Sequence, residues 1–183
     1  TRITGKTIYY SPTDMGVNMA GNCIIDDDAV CKAAKEEIVR RYYVAMCGKK
    51  EGFVSDDEIL KLELLMKQAG VSPTDRNVVN AALKREEETG GPAAALELPD
   101  GRMITGKTSN LMGAASAALL NALKVLGGID DDVLLMSPQV IEPITNLKIQ
   151  HLGNRNPRIH TDEALIALSI CAATDENARK AMD

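Results

Sequence analysis

Two stretches constrain what this chain can fold into: residues 110–126, with no charge before Lys124, and residues 162–173, apolar nearly all round from Ala164 onward. Both have helical length, and a helix without a polar face must be buried on most sides. A helix pair cannot bury them, so a sheet is required as the second apolar surface. Short strand signals stand where that sheet would form. Residues 95–98 and 102–105 read as strands joined through the turn signal Pro99-Asp100-Gly101, and residues 133–136 and 147–152 are further strand candidates.

Before Pro92 the pattern is helical throughout. From Asp26 to Cys47 the apolar positions Val30, Ala34, Ile38, Tyr42 and Met46 recur every fourth residue. The acidic run Asp26-Asp27-Asp28 would start this helix and Gly48 would stop it. A second helix is expected from Ser55, whose hydroxyl can cap the Glu58 amide, to Gly70, with a broad apolar set in residues 59–69. A third follows Ser72-Pro73 and is closed by Gly90-Gly91-Pro92. The expected architecture is therefore α/β. A helical subdomain over residues 1–92, with an N-terminal polar loop, precedes a small layered α/β subdomain over residues 93–183, its buried helices packed on a short sheet. The chain opens at Thr1 and closes at Asp183 inside a helical pattern, so both ends read as cuts in a longer protein, the C-terminal subdomain being truncated.

Composition narrows the function classes. A net charge of −5 and only 3% aromatic residues give neither a basic stripe nor base-stacking platforms, so nucleic acid is not an expected partner. The longest charge-free stretch, residues 108–123, contains Ser109, Asn110, Ser116 and Asn121 and is too short to cross a bilayer. Cys23, Cys31, Cys47 and Cys171 form no C-x-x-C pair and follow no signal segment, which reads as free thiols in the cytoplasm. Of these only Cys23 lies outside an apolar helical pattern, where a reactive thiol would have to be.

Four strings occur in order: Ser11-Pro12-Thr13-Asp14-Met15-Gly16-Val17-Asn18, Arg40-Arg41-Tyr42-Tyr43, Glu87-Glu88-Thr89-Gly90-Gly91-Pro92-Ala93, and His151-Leu152-Gly153-Asn154-Arg155-Asn156-Pro157-Arg158-Ile159-His160. In these the chain resembles a bacterial family labelled domain of unknown function 1846, over nearly its whole length. The resemblance implies a longer cytoplasmic protein. Its upstream domain would carry a glycine-rich, phosphate-loop-like stretch, followed by a helical insert and a C-terminal α/β subdomain. It implies no reaction and assigns no catalytic residue. The cofactor stays open, with a nucleotide and magnesium as the candidate for the intact protein.

Gly101-Arg102-Met103-Ile104-Thr105-Gly106-Lys107-Thr108 fits the phosphate-loop pattern G-x-x-x-x-G-K-[ST] letter for letter. Such a loop needs a buried strand directly before its first glycine, whereas Pro99-Asp100 precede Gly101 and Met103-Ile104-Thr105 read as strand. A hairpin is the better reading. Gly106-Lys107-Thr108-Ser109 would nevertheless stand at the start of a helix, where free amides favour an anion. The segment 151–160 has the same layout, a strand end followed by a loop with Arg155 and Arg158, and Thr161 as helix cap.

If the two strands run parallel in one sheet, both loops emerge at its carboxyl edge and converge. The candidate site is then an anion-binding set of Lys107, Thr108, Ser109, Asn154, Arg155, Asn156, Arg158 and His160, for a small phosphorylated or carboxylate ligand. The alternative has the arginines on helix C-termini or acidic neighbours and the asparagines supplying left-handed turns. Thr13, Asp14 and Asn18 form a second possible loop site, or a loop satisfying its own backbone. No metal site is expected: His151 and His160 lack zinc-ligand spacing, and Asp26 to Asp28 serve a helix start.

Two functional readings follow, part of a nucleotide- or phosphate-handling enzyme whose nucleotide domain lies upstream, or a non-catalytic module that assembles into a homo-oligomer through its apolar helices. The strings Ile3-Thr4-Gly5-Lys6-Thr7 and Ile104-Thr105-Gly106-Lys107-Thr108 match without alignment between them, so they read as repeated turn and cap signals rather than duplication.

Overall fold

The computed structural model describes residues 26–183. Thr13, Asp14, Asn18, Cys23 and the string at residues 3–7 lie outside them. Contacts divide the chain into two units between Arg76 and Asn77.

Among the described residues the first unit holds two helices, α1 (Asp27–Glu51) and α2 (Asp56–Ala69), packed on each other, then a 3₁₀ turn at Pro73–Asp75. Asp26 caps α1 by accepting from the Ala29 amide at 2.9 Å, with Asp27 and Asp28 in the first turn and Lys49 and Lys50 in the last, each charge matched to the helix dipole. The helix does not stop at Gly48. It runs to Glu51, and Gly52 (φ 85°) ends it in the left-handed conformation. Gly48 has another use: a Cβ there would stand 2.7 Å from Val54 Cγ2, so its bareness lets the following loop fold back. Ser55 caps α2 at the Glu58 amide as expected, and Gly70 ends that helix. Of its broad apolar set only Ile59 and Met66 are buried, with Ile38, Val39 and Ala45 of α1.

The second unit begins with α3 (Asn77–Thr89). Pro73 does not open this helix, because Arg76 is extended (φ −92°, ψ 114°) and separates the 3₁₀ turn from it. The fold class is α/β, but among the described residues its sheet is a single antiparallel hairpin, β1 (Ala93–Glu97) and β2 (Met103–Lys107), with Ala95 opposite Thr105. Gly101 (φ 83°) makes the turn, its amide reaching the Leu98 carbonyl at 2.9 Å. The G-x-x-x-x-G-K-T match is thus a hairpin, as its context indicated.

Both α3 and α4 (Ala114–Leu126) lie against the hairpin. This is why the second unit starts before α3 rather than near Pro92, where the composition shifts. A Cβ at Gly106 would overlap the backbone of Ala118, so β2 and α4 approach as only glycine permits. Asn121 Nδ2 donates to the Thr105 carbonyl across the same contact at 2.9 Å.

The remaining elements are α5 (Pro138–Asn146), α6 (Thr161–Cys171) and α7 (Glu176–Met182). They close an aliphatic core with α4, centred on Leu120, Ile141, Ile159, Ala164 and Leu168. Residues 133–136 are not a strand. They run irregularly between the Asp130 turn and Ser137-Pro138, which starts α5, with Leu135 and Met136 buried and Leu134 71% exposed. Residues 147–152 are not a strand either: Leu147–His151 form a π-helical turn continuing α5, shown by the Leu152 amide donating to the Leu147 carbonyl. In that turn the apolar Leu147 and Ile149 face outward while Lys148, 2% exposed, faces in.

Candidate functional site

The site is built from two loops of the second unit. The first, residues 108–113, leaves β2. Its Thr108 amide is held by the Pro92 carbonyl at 2.9 Å, and the Ser109 hydroxyl accepts from the amides of Leu111 (3.2 Å) and Met112 (3.1 Å). That hydroxyl shapes the turn. Helix α4 starts only at Ala114, so Lys107 to Ser109 do not stand at its N-terminus; Lys107 ends β2 on its exposed side.

The second loop, residues 152–160, leaves the π-helical turn rather than a strand. Asn154 Oδ1 accepts from the Asn156 amide at 3.0 Å, and Asn156 Oδ1 accepts from the Arg158 amide at 3.1 Å. The asparagines thus form consecutive side-chain turns. Neither is left-handed, since among the described residues positive φ occurs only at glycines. His160, not Thr161, is the cap residue of α6, and it acts through its backbone amide, which donates to Glu163 Oε2 at 2.7 Å.

The two loops meet, though not through a shared parallel sheet. Met112 and Ile159 form one parallel bridge. The Ile159 amide donates to the Leu111 carbonyl at 3.0 Å, while its own carbonyl accepts from the Gly113 amide at 3.3 Å and the buried Ser116 hydroxyl at 3.0 Å. Arg158 Nε donates to the Ser109 carbonyl at 2.7 Å and so spans the gap between the loops. The structure therefore joins Ser109, Asn154, Asn156 and Arg158 in one hydrogen-bonded surface. Arg155, Lys107 and His160 are exposed on the segments that carry it, and no described carboxylate forms an ion pair with Lys107, Arg155, Arg158 or His160.

Sequence reasoning missed the pair behind the loop. Lys148 Nζ donates to the Arg158 carbonyl at 2.7 Å and to Glu163 Oε2 at 2.8 Å, the two side chains being 3% and 24% exposed. Burial pushes the Glu163 carboxyl up, but hydrogen bonds from Lys148 and the His160 amide outweigh it and hold the group below its ordinary value. Glu163 was findable, because a glutamate at the third helical position commonly reaches back to the cap amide. Lys148 was not, lying between the apolar Leu147 and Ile149.

A cavity of about 500 Å³ belongs to the first unit instead, where Lys32, Lys35 and Arg76 share its lining with Asp28, Glu36 and Asp75. Its balanced charges select no ion, so the loops of the second unit remain the candidate. Nearby on α1, hydrogen bonds from Arg40 and then Arg41 hold the exposed Glu37 carboxyl at about 2. Among the described residues no group of three or more His, Cys, Asp or Glu is placed to hold a metal ion, and Cys31, Cys47 and Cys171 are free thiols. No described helix is long and apolar enough to cross a membrane.

Fold and site define a two-unit α/β chain in which a helical pair precedes a hairpin-and-helix unit carrying a cationic loop pair. By its sequence this chain belongs to the DUF1846 family: the model "Domain of unknown function DUF1846, N-terminal" matches residues 1–70 and its C-terminal counterpart residues 74–183. It is 54% identical over 182 residues to a UPF0371 protein of Corynebacterium aurimucosum, covering all of this chain and 36% of the relative. UPF0371 proteins of Streptococcus thermophilus (53% over 182 residues) and Streptococcus pneumoniae (51% over 182 residues) match all of the chain and 37% of their own length. The chain spans little more than a third of the length of these bacterial relatives.

Proposed function

We propose that this chain supplies an oxyanion-binding wall to a larger cytoplasmic enzyme that handles phosphorylated or nucleotide substrates, with the nucleotide domain upstream. The observation that carries the reading is the Arg158 bond to Ser109. By fixing Nε on a loop carbonyl, it leaves the two terminal nitrogens of the guanidinium as a pre-oriented fork. A fixed fork suits a phosphate or carboxylate, which it can bind bidentately. Arg155 and Lys107 supply charge beside it, while the His160 ring, the hydroxyl of Thr108 and the amide nitrogens of Asn154 and Asn156 supply further hydrogen-bond donors. Magnesium, if the intact protein uses it, would come with the nucleotide.

The test is thermal unfolding of the full-length protein against inorganic phosphate, nucleotides and phosphorylated metabolites. At a hundredfold excess over Kd, a ligand should add about 2.7 kcal/mol. Arg155→Ala should abolish the response without lowering the Tm of the unliganded protein, because Arg155 makes no internal ion pair among the described residues. No response to any compound, or a full wild-type response retained in both Arg155→Ala and Arg158→Ala, would remove the reading.

A second reading, a module that assembles by its apolar faces, is favoured by a different observation. Ile166 and Ile170 lie one turn apart on α6 and are 60% and 66% exposed. Under this reading α6 docks on a second copy of the chain.

A further inference from the structure

The backbone of Arg158 and His160 is held from behind by an ion pair between the buried Lys148 and the part-buried Glu163, and the arrangement adds no net charge. Lys148 is neutralised by Glu163, so the pair adds no net attraction for an anion. Burying an ion pair is rarely worth more than filling the same space with apolar side chains. What the pair does achieve is directional: Lys148 Nζ takes the Arg158 carbonyl, and Glu163 takes the His160 amide. The backbone on both sides of the buried Ile159 is thereby held by one linked set of bonds, from the π-helical turn through the loop to the first turn of α6. The π-helical turn is what carries Lys148 inward, at the cost of leaving its apolar neighbours Leu147 and Ile149 outside.

We infer that Lys148 is a positioning residue, which with Glu163 sets the backbone of residues 158–160 so that the Arg158 fork and the His160 ring are presented to an oxyanion before it arrives. The inference deepens the oxyanion reading, on which its functional half rests; the positioning itself is measurable without any ligand. Binding costs less when the receiving groups are already ordered, so loss of the pair should weaken an anion's hold while leaving every cation in the loops in place.

The experiment compares the full-length wild type with Lys148→Met/Glu163→Leu, which leaves neither partner's charge unpaired, and with Lys148→Met alone, which removes the bond to the Arg158 carbonyl and is read in the same way if the double variant does not fold. Amide hydrogen exchange is followed along the chain, and inorganic phosphate affinity is titrated alongside. The expected result is exchange at least tenfold faster at residues 154–160, little changed in α4 and α7, together with a phosphate Kd at least tenfold higher. Exchange unchanged in the loop, or raised equally throughout the chain, would overturn the inference. If the loop loosens as expected but the wild type shows no affinity for phosphate, the positioning role stands and the oxyanion reading falls.

Discussion

Gly106 stands in a sequence pattern that suggests a phosphate loop, yet its role is steric. There α4 comes so close that any side chain would meet the helix backbone at Ala118. Gly106→Ala should therefore cost about 1–3 kcal/mol, the usual range for overfilling a packed contact. Urea unfolding would show it as a lower midpoint with an unchanged slope. The same residue shows what was legible in the sequence. The turn at Asp100-Gly101 marked the hairpin, because turn chemistry is local, but the reason for Gly106 depends on a helix that begins several residues later. In the site, Arg158 is bonded to the Ser109 carbonyl, without the shared parallel sheet on which the expected meeting of the two loops depended. The pair behind them was hidden, because a lysine between two apolar residues gives no sign that it points inward.

Among elements, those with their own start and stop signals were readable. Ser55 and Gly70 delimit α2, and Asp26 opens α1. The end of α1 was misplaced at Gly48 because glycine is tolerated inside a helix when something close needs the space, here Val54. The stretch 147–152 has strand-like composition, and only its tertiary setting makes it a π-helical turn. That turn and α6 are joined by Lys148 and Glu163, which gives a pH dependence whose sign can be worked out. The Glu163 pKa is lowered on folding, so its contribution is complete above its ordinary value of 4.5 and is lost as pH falls through the lower folded value. Stability of the wild type should thus decline between about pH 5 and pH 3 more steeply than that of Glu163→Gln. Parallel curves for the two proteins in acid would contradict this.

At the scale of the whole molecule, the aliphatic core is real but leaves much apolar surface uncovered. On α6, Ala164, Ala167 and Leu168 are buried, while Ile166 and Ile170 on its other side face outward, so the expectation that this helix is buried on most sides is only half met within the chain. Exposed apolar patches of this kind mark contact surfaces. The double substitution Ile166→Lys and Ile170→Lys should abolish concentration-dependent association of the isolated chain and its binding of a hydrophobic dye, while changing unfolding stability by less than about 0.5 kcal/mol. A wild-type chain that stays monomeric and dye-free at all concentrations would rule out the assembly reading.

Ile159 has a mechanical consequence. Its two backbone groups are tied to Leu111, Gly113 and Ser116, and its side chain is fully enclosed, so neither loop can slide without dragging the other. Force applied at either loop therefore travels through a stiff crosspiece to the first turns of α4 and α6 together. A displacement of Arg158 would therefore be felt at the starts of both helices.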